Sequence, residues 1–346
     1  MTRRRLEDFL RSSDQNNFRL LRLIAAIMVV EGHSRILLYD PARESYEQGT
    51  FHFNSLGLPS FFFLSGLLVT QSLFQSSSWK NFIWKRILRV YPVVWFFLLL
   101  AALIMGPIVT TMPLAGYWQS PQLYRFIGSI NLLHTDLMLP GVFTNSTLGT
   151  ASVNSSLWTV TMELKLYLGL LLIGWIIKKF PAVAKWVLLL LILSAILINN
   201  RMAASIPTGL RPWFTFGVQF LSGVLCYLHK DKIIVPRYLC LLLPPLFLVS
   251  LWSHTYSYAA YVLVPATVIV FGTLYPKKIS AISPVPDLSY GIYVFAFPVQ
   301  QLIANYLHPG GHFSFFILSM ALTLPFALFS WYAIEKNALR LKKAIG

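Results

Sequence analysis

The sequence predicts an all-α integral membrane protein, a bundle of about ten transmembrane helices with both termini cytoplasmic. Three observations carry that prediction: the apolar content, the length of the apolar runs, and the side on which basic residues fall. Of 346 residues, 56% are apolar and 12% charged, with a mean hydropathy of +0.63. A water-soluble domain carries roughly twice that charged fraction, ~25%. The surplus apolar surface exceeds what one soluble core buries, so lipid must cover it. Aromatic residues reach 15%, which suits two interfacial belts.

A bilayer core needs about 20 mostly apolar residues per helix. Runs of that kind fall at 18–38, 56–76, 88–111, 158–178, 183–200, 212–229, 236–253, 257–275, 287–306 and 313–334. Alternate connectors are basic. The N-terminal segment holds Arg3, Arg4, Arg5, Arg11 and Arg19, with Arg22 just inside the first span. Lys80, Lys85, Arg86 and Arg89 follow, then Lys178, Lys179 and Lys185, then Lys230, Lys232 and Arg237, then Lys277 and Lys278. The chain ends with Lys336, Arg340, Lys342 and Lys343. These are 22 of the 28 basic residues; Arg35, Arg43, Arg125, Lys165, Arg201 and Arg211 are the rest. The basic side is cytoplasmic by the positive-inside rule, and ten spans return both termini to it. The net charge of +16 therefore reads as membrane topology and not as a nucleic-acid footprint, because it flanks apolar runs.

The whole of 1–346 reads as one polytopic domain, with cytoplasmic tails at 1–17 and 335–346. The run Leu20–Val30 is followed at once by Glu31, His33 and Arg35, which does not suit a cleaved signal peptide. The connector 112–157 is long, extracytoplasmic, and rich in Ser, Thr, Asn, Gly and Pro. Two readings fit it, a partly re-entrant lid and an unstructured loop. Its sequons at Asn145 and Asn154 matter only in a glycosylating host. Cys226 and Cys240 have no CxxC or Cys/His spacing and read as small apolar fillers, so no metal site is expected.

Ionisable residues inside spans are costly and mark function. Arg22 and His33 are eleven residues apart, three helical turns plus about 20°, so they share one helix face roughly 16 Å apart. That stripe suits an anion at its base and a proton acceptor further in; a hydrogen-bonded packing histidine is the plainer alternative. Arg86 and Arg89 are three apart and share a face. They suit phosphates or simple anchoring. Glu163 lies about a turn and a half beyond Trp158. Its neighbour two residues on, Lys165, points elsewhere, so Glu163 faces another helix, with His33 as the attractive partner. Small residues Ser65 and Gly66 allow close helix approach.

These residues together resemble the acyltransferase-3 family of bacterial membrane acyltransferases. The resemblance rests on Arg22-x10-His33; Phe62-Phe63-Leu64-Ser65-Gly66; Arg86-x2-Arg89-x-Tyr91-Pro92; Ser156-Leu157-Trp158 with Glu163 and Tyr167; Ser289-Tyr290-Gly291-Ile292-Tyr293; and Glu335-Lys336. Stand-alone O-antigen O-acetyltransferases are the most similar subset. The resemblance implies a multi-pass protein of the bacterial inner membrane. It would carry an acyl group, most simply acetyl, from cytoplasmic acyl-CoA to a hydroxyl of a surface or lipid-linked glycan such as the O-antigen of lipopolysaccharide. No bound cofactor is implied, since acyl-CoA is a co-substrate. It makes His33, Glu163 and Arg22 catalytic and places Arg86, Arg89 and Tyr91 at acyl-CoA. Ser65, Gly66, Trp158, Tyr167, Ser289 and Tyr290 become positioning residues. Two departures stand out. Phe295-Ala296-Phe297 replaces the His many relatives carry after Ser-Tyr-Gly, and Glu335-Lys336-Asn337 replaces a Glu-Lys-Pro ending.

In the expected mechanism, His33 takes the proton of the attacking hydroxyl, oriented by Glu163; an acyl-His33 intermediate is the variant. No Gly-x-Ser-x-Gly elbow occurs, which disfavours a hydrolase-type serine. The rivals are a transporter that flips a lipid-linked glycan and a structural membrane protein. Inverted repeats, common in transporters, are not evident in the sequence.

Overall fold

The computed structural model describes residues 4–11, 16–38, 54–132, 135–144, 151–202, 205–236, 238–274, 286–307 and 310–344. Arg3, Arg43, Asn145, Arg237, Lys277 and Lys278 lie outside them. About 81% of the described residues are helical. Among the described residues, extended pairing is confined to isolated bridges, Arg5–Ile234 and Met138–Ser152.

In chain order the helices are α1 (Leu6–Leu10), α2 (Phe18–Leu38), α3 (Asn54–Phe74) and α4 (Trp79–Leu100). Helix α4 continues through a π-helical turn, Ala101–Met105, to Val109. Then come α5 (Leu114–Gln119), α6 (Pro121–Gly128), α7 (Leu157–Lys179), α8 (Pro181–Arg201) and α9 (Val218–Leu228). The last are α10 (Leu239–Trp252), α11 (Tyr256–Thr273), α12 (Ser289–Tyr306), α13 (His312–Phe329) and α14 (Lys336–Ala344). A second π turn, Ser330–Glu335, joins α13 to α14.

Every expected span coincides with a helix, but among the described residues six helices are long and apolar enough to cross a membrane. These are Ser55–Phe74, Trp79–Val109, Leu157–Lys179, Pro181–Arg201, Tyr256–Thr273 and His312–Leu341. The other four differ for physical reasons. Helix α2 carries Arg19, Arg22, Glu31 and Arg35 within 21 residues. Helix α12 contains Gln300, Gln301 and Asn305. Trp213–Leu228 and Leu239–Trp252 are apolar but short.

The chain divides into two compact units. The first comprises Met1–Ala25, Glu47–Gln75 and Leu166–Pro286. Its core gathers Leu6, Leu10, Phe18, Phe63, Leu67, Tyr227, Val264 and Val268. The N-terminal segment, expected as a tail, is docked where described: Leu6 N donates to Ile233 O at 2.8 Å and Glu7 N to Lys230 O at 3.1 Å. Its Leu6, Phe9 and Leu10 are buried, and that apolar face is what a solvated tail would lack. Helices α3 and α9 meet backbone to backbone. A Cβ on Gly66 would run into the Phe220 carbonyl, and one on Gly223 into the Phe63 carbonyl.

The second unit comprises Ala26–Tyr46, Ser76–Lys165 and Asp287–Gly346. Leu37, Phe297, Val299, Ile303 and Phe315 form one of its clusters. Gln300 Nε2 donates to Val30 O and Ser34 Oγ, both at 2.8 Å, which fixes α12 against the far half of α2.

The connector 112–157 is folded wherever it is described, which removes the unstructured-loop reading there. Thr111 N donates to Gly141 O at 3.0 Å, beside the end of the α4 rod. Tyr117 Oη donates to Ala102 O at 2.7 Å. Further back along α4, Trp95 Nε1 donates to Ile130 O and Tyr91 Oη to Asn131 O, each at 2.9 Å. Tyr91 precedes Val109 by eighteen helical residues, about 27 Å. The connector therefore doubles back along α4 through α5 and α6, turns at Ser129–Leu132, and returns. Leu132 takes a φ of 55° at that turn. Val153 N pairs with Leu137 O, and Asn154 Nδ2 donates to Val294 O at 2.8 Å. These bonds close the excursion on α12.

Candidate active site

His33 sits about four turns into α2, half-buried. Its ring packs edge-on against Phe297, centroids 5.2 Å apart. Phe297 belongs to the Phe295-Ala296-Phe297 run that follows Ser289-Tyr290-Gly291. Glu163 is half-buried on α7 while Lys165 is exposed, as their spacing requires. The Glu163 carboxylate acts electrostatically on the Tyr293 phenol, and Tyr293 Oη is hydrogen-bonded to Thr159 Oγ1 and to Ser156 O at 3.2 Å. The acid thus belongs to a polar group built from the start of α7 and from α12.

The two arginines expected to share a phosphate have different surroundings. Arg86 lies over the Phe82 ring at 5.8 Å. Arg89 bridges two buried acids, with Nη2 3.0 Å from Asp287 Oδ2 and Nη1 3.3 Å from Glu335 Oε2. Ser289 Oγ donates to Asp287 Oδ1 at 2.6 Å, and Ser330 Oγ donates to Glu335 Oε1 at 3.0 Å. Ser330 and Glu335 are five residues apart, one turn of the π helix that joins them. The Arg89 guanidinium also covers the Tyr290 ring, whose hydroxyl donates to Val90 O at 2.9 Å. Arg89 is thereby held as a cation between two buried acids. Tyr91, expected at acyl-CoA, spends its hydroxyl on the Asn131 carbonyl of the connector.

In the first unit, Ser65 Oγ and Tyr167 Oη are 3.0 Å apart, and Gly66 gives the close approach described above. Arg22 is half-buried on α2 in this unit, and Trp158, at the start of α7 in the second, is 36% exposed.

A family model described as an acyltransferase domain, acyltransferase-3, matches residues 15–333. The chain belongs to the acyltransferase-3 family. It is similar to the O-acetyl transferase of Shigella phage Sf6, 27% identical over 334 residues, covering 94% of this chain and 96% of that protein. It is also similar to nodulation protein 10 of Rhizobium leguminosarum bv. viciae, 28% identical over 371 residues, covering 96% of each. No solved structure matches the chain.

Several polar residues of this acyltransferase-3 chain escaped sequence reasoning. Asp287 was read only as the start of a span, yet with Glu335 it anchors Arg89. Glu31 accepts from Arg35 Nε at 2.9 Å and lies 3.3 Å from His312 Nε2. The available signal was scarcity. The chain has 12 acidic residues, so any acid inside or at the mouth of an apolar run needs a buried partner.

Proposed function

We propose that the protein moves an acyl group, most simply acetyl, from acyl-CoA to a hydroxyl of a surface or lipid-linked glycan such as O-antigen. The observation that carries this reading is the extent of the likeness. An acyltransferase model spans 15–333, and a relative named O-acetyl transferase aligns with 94% of the chain. The half-buried imidazole on α2 supplies a fitting proton acceptor.

In the proposed reaction, Arg86 engages donor phosphates, and Arg22 adds a second cation on the helix that bears His33. Arg89 holds the cluster of Asp287 and Glu335 next to Arg86. His33 takes the proton from the acceptor hydroxyl as its oxygen attacks the thioester carbonyl. The carbon–sulfur bond breaks, and CoA leaves as the thiol with the proton His33 took. Phe297 sets the ring edge, and Glu163 favours the transient imidazolium electrostatically. The acceptor enters from the extracytoplasmic side, and the protein has ten spans with both termini in the cytoplasm of a bacterial inner membrane.

The test uses the purified full chain in lipid nanodiscs, radiolabelled acetyl-CoA and a lipid-linked glycan extract. Label should pass to glycan, and His33→Ala should lower the rate by about 10²–10⁴-fold, the range for a general base. A wild-type protein that translocates glycan without labelling it would mark a transporter. Wild-type transfer by His33→Ala would remove the histidine from the chemistry.

A further inference from the structure

We propose a second ligand site in the first unit, an anionic-phospholipid site between α8 and α9, separate from the residues assigned to acyl transfer. A cleft of about 520 Å³ opens there, lined by Pro181, Lys185, Trp186, Leu189, Leu225, His229 and Lys232 among others. The helix spacing builds it. Residues 181, 185 and 189 recur every four residues on α8, and Leu225, in the last turn of α9, is followed past the helix end by His229 and Lys232.

The lining is graded along the helices. Lys185 lies one turn into α8, and His229 and Lys232 follow the end of α9. Leu189 and Leu225 lie a turn further along the apolar stretch. Trp186 is 69% exposed beside the basic rim, as at a membrane interface. His229 Nδ1 is 3.0 Å from the Leu225 carbonyl oxygen. A carbonyl only accepts, so Nδ1 carries hydrogen and Nε2 of the neutral ring is an acceptor, suited to a headgroup hydroxyl. Two ammonium groups over a leucine floor match a phosphate headgroup over acyl chain, and match neither a free sugar nor a neutral lipid. In the proposed topology the basic rim faces the cytoplasmic leaflet, where anionic lipids concentrate.

The test is native mass spectrometry of the delipidated full chain, titrated with phosphatidylglycerol or phosphatidylcholine of identical chains. Phosphatidylglycerol should bind first. Each lysine near an anionic headgroup gives about a fivefold effect, so Lys185→Ala with Lys232→Ala should lose about 25-fold. Arginine at both positions should keep the binding, and Lys80→Ala, outside the cleft, should not alter it. Equal binding of the two lipids, or an unchanged double alanine variant, overturns the proposal. Displacement of the lipid by inorganic phosphate or by CoA at similar concentration overturns the lipid assignment in favour of a soluble anion.

Discussion

Arg89 and Arg86 are three residues apart, yet substitution should separate them cleanly. Removing the Arg89 side chain would take from Asp287 and Glu335, 6% and 2% exposed, the guanidinium that bridges them. Breaking such a pair costs about 3–5 kcal/mol. Arg89→Ala should therefore lower the thermal unfolding midpoint in detergent by many degrees, and adding Asp287→Asn and Glu335→Gln should restore part of it. Arg86→Ala should raise KM for acyl-CoA. An unchanged KM in that variant would remove Arg86 from donor binding. At His33 the neighbour to change is Phe297. Phe297→Ala frees the ring edge, so kcat should fall while KM for the donor holds. Parallel changes in both constants would show that Phe297 shapes donor binding instead.

Two features of the helices carry their own consequences. The α3–α9 contact depends on two glycines, each facing a carbonyl of the other helix. A methyl there meets backbone, which does not rotate away. Gly66→Ala or Gly223→Ala should cost on the order of 1–3 kcal/mol, the range for overpacking, read as a lower unfolding midpoint. A silent substitution at both would mean that the helices stand further apart. The connector is held to α4 by side chains that cap carbonyls at its turning point. Tyr91→Phe and Trp95→Phe each remove one such bond, worth about 1 kcal/mol. Limited proteolysis within 112–157 should then speed up for either variant, most for the two combined.

Across the whole molecule, the proposed topology makes a prediction that does not depend on the chemistry. Single-cysteine reporters at positions 80, 180, 232 and 340 should be labelled only from the cytoplasm, and those at 115, 205, 255 and 310 only from outside. A chain whose polar helix α2 stayed in one leaflet would break that alternation at the first step. Membrane character, the helices and the acyltransferase-3 motifs were all legible in the sequence. Apolar run length and helical spacing are local properties that tertiary contacts do not overturn. Small helix spacings were equally legible, such as the divergence of Glu163 from Lys165. What the sequence could not supply was the partner of each polar side chain. Spacing put Arg86 and Arg89 on one face, but only the fold brought Asp287 and Glu335, 198 and 246 residues away, onto the second of them. It also set Phe297 against His33, turned the connector back along α4, and docked α1 as core. The physical reason is that periodicity fixes which face of a helix a residue occupies, whereas the identity of what packs on that face depends on segments far away in the chain.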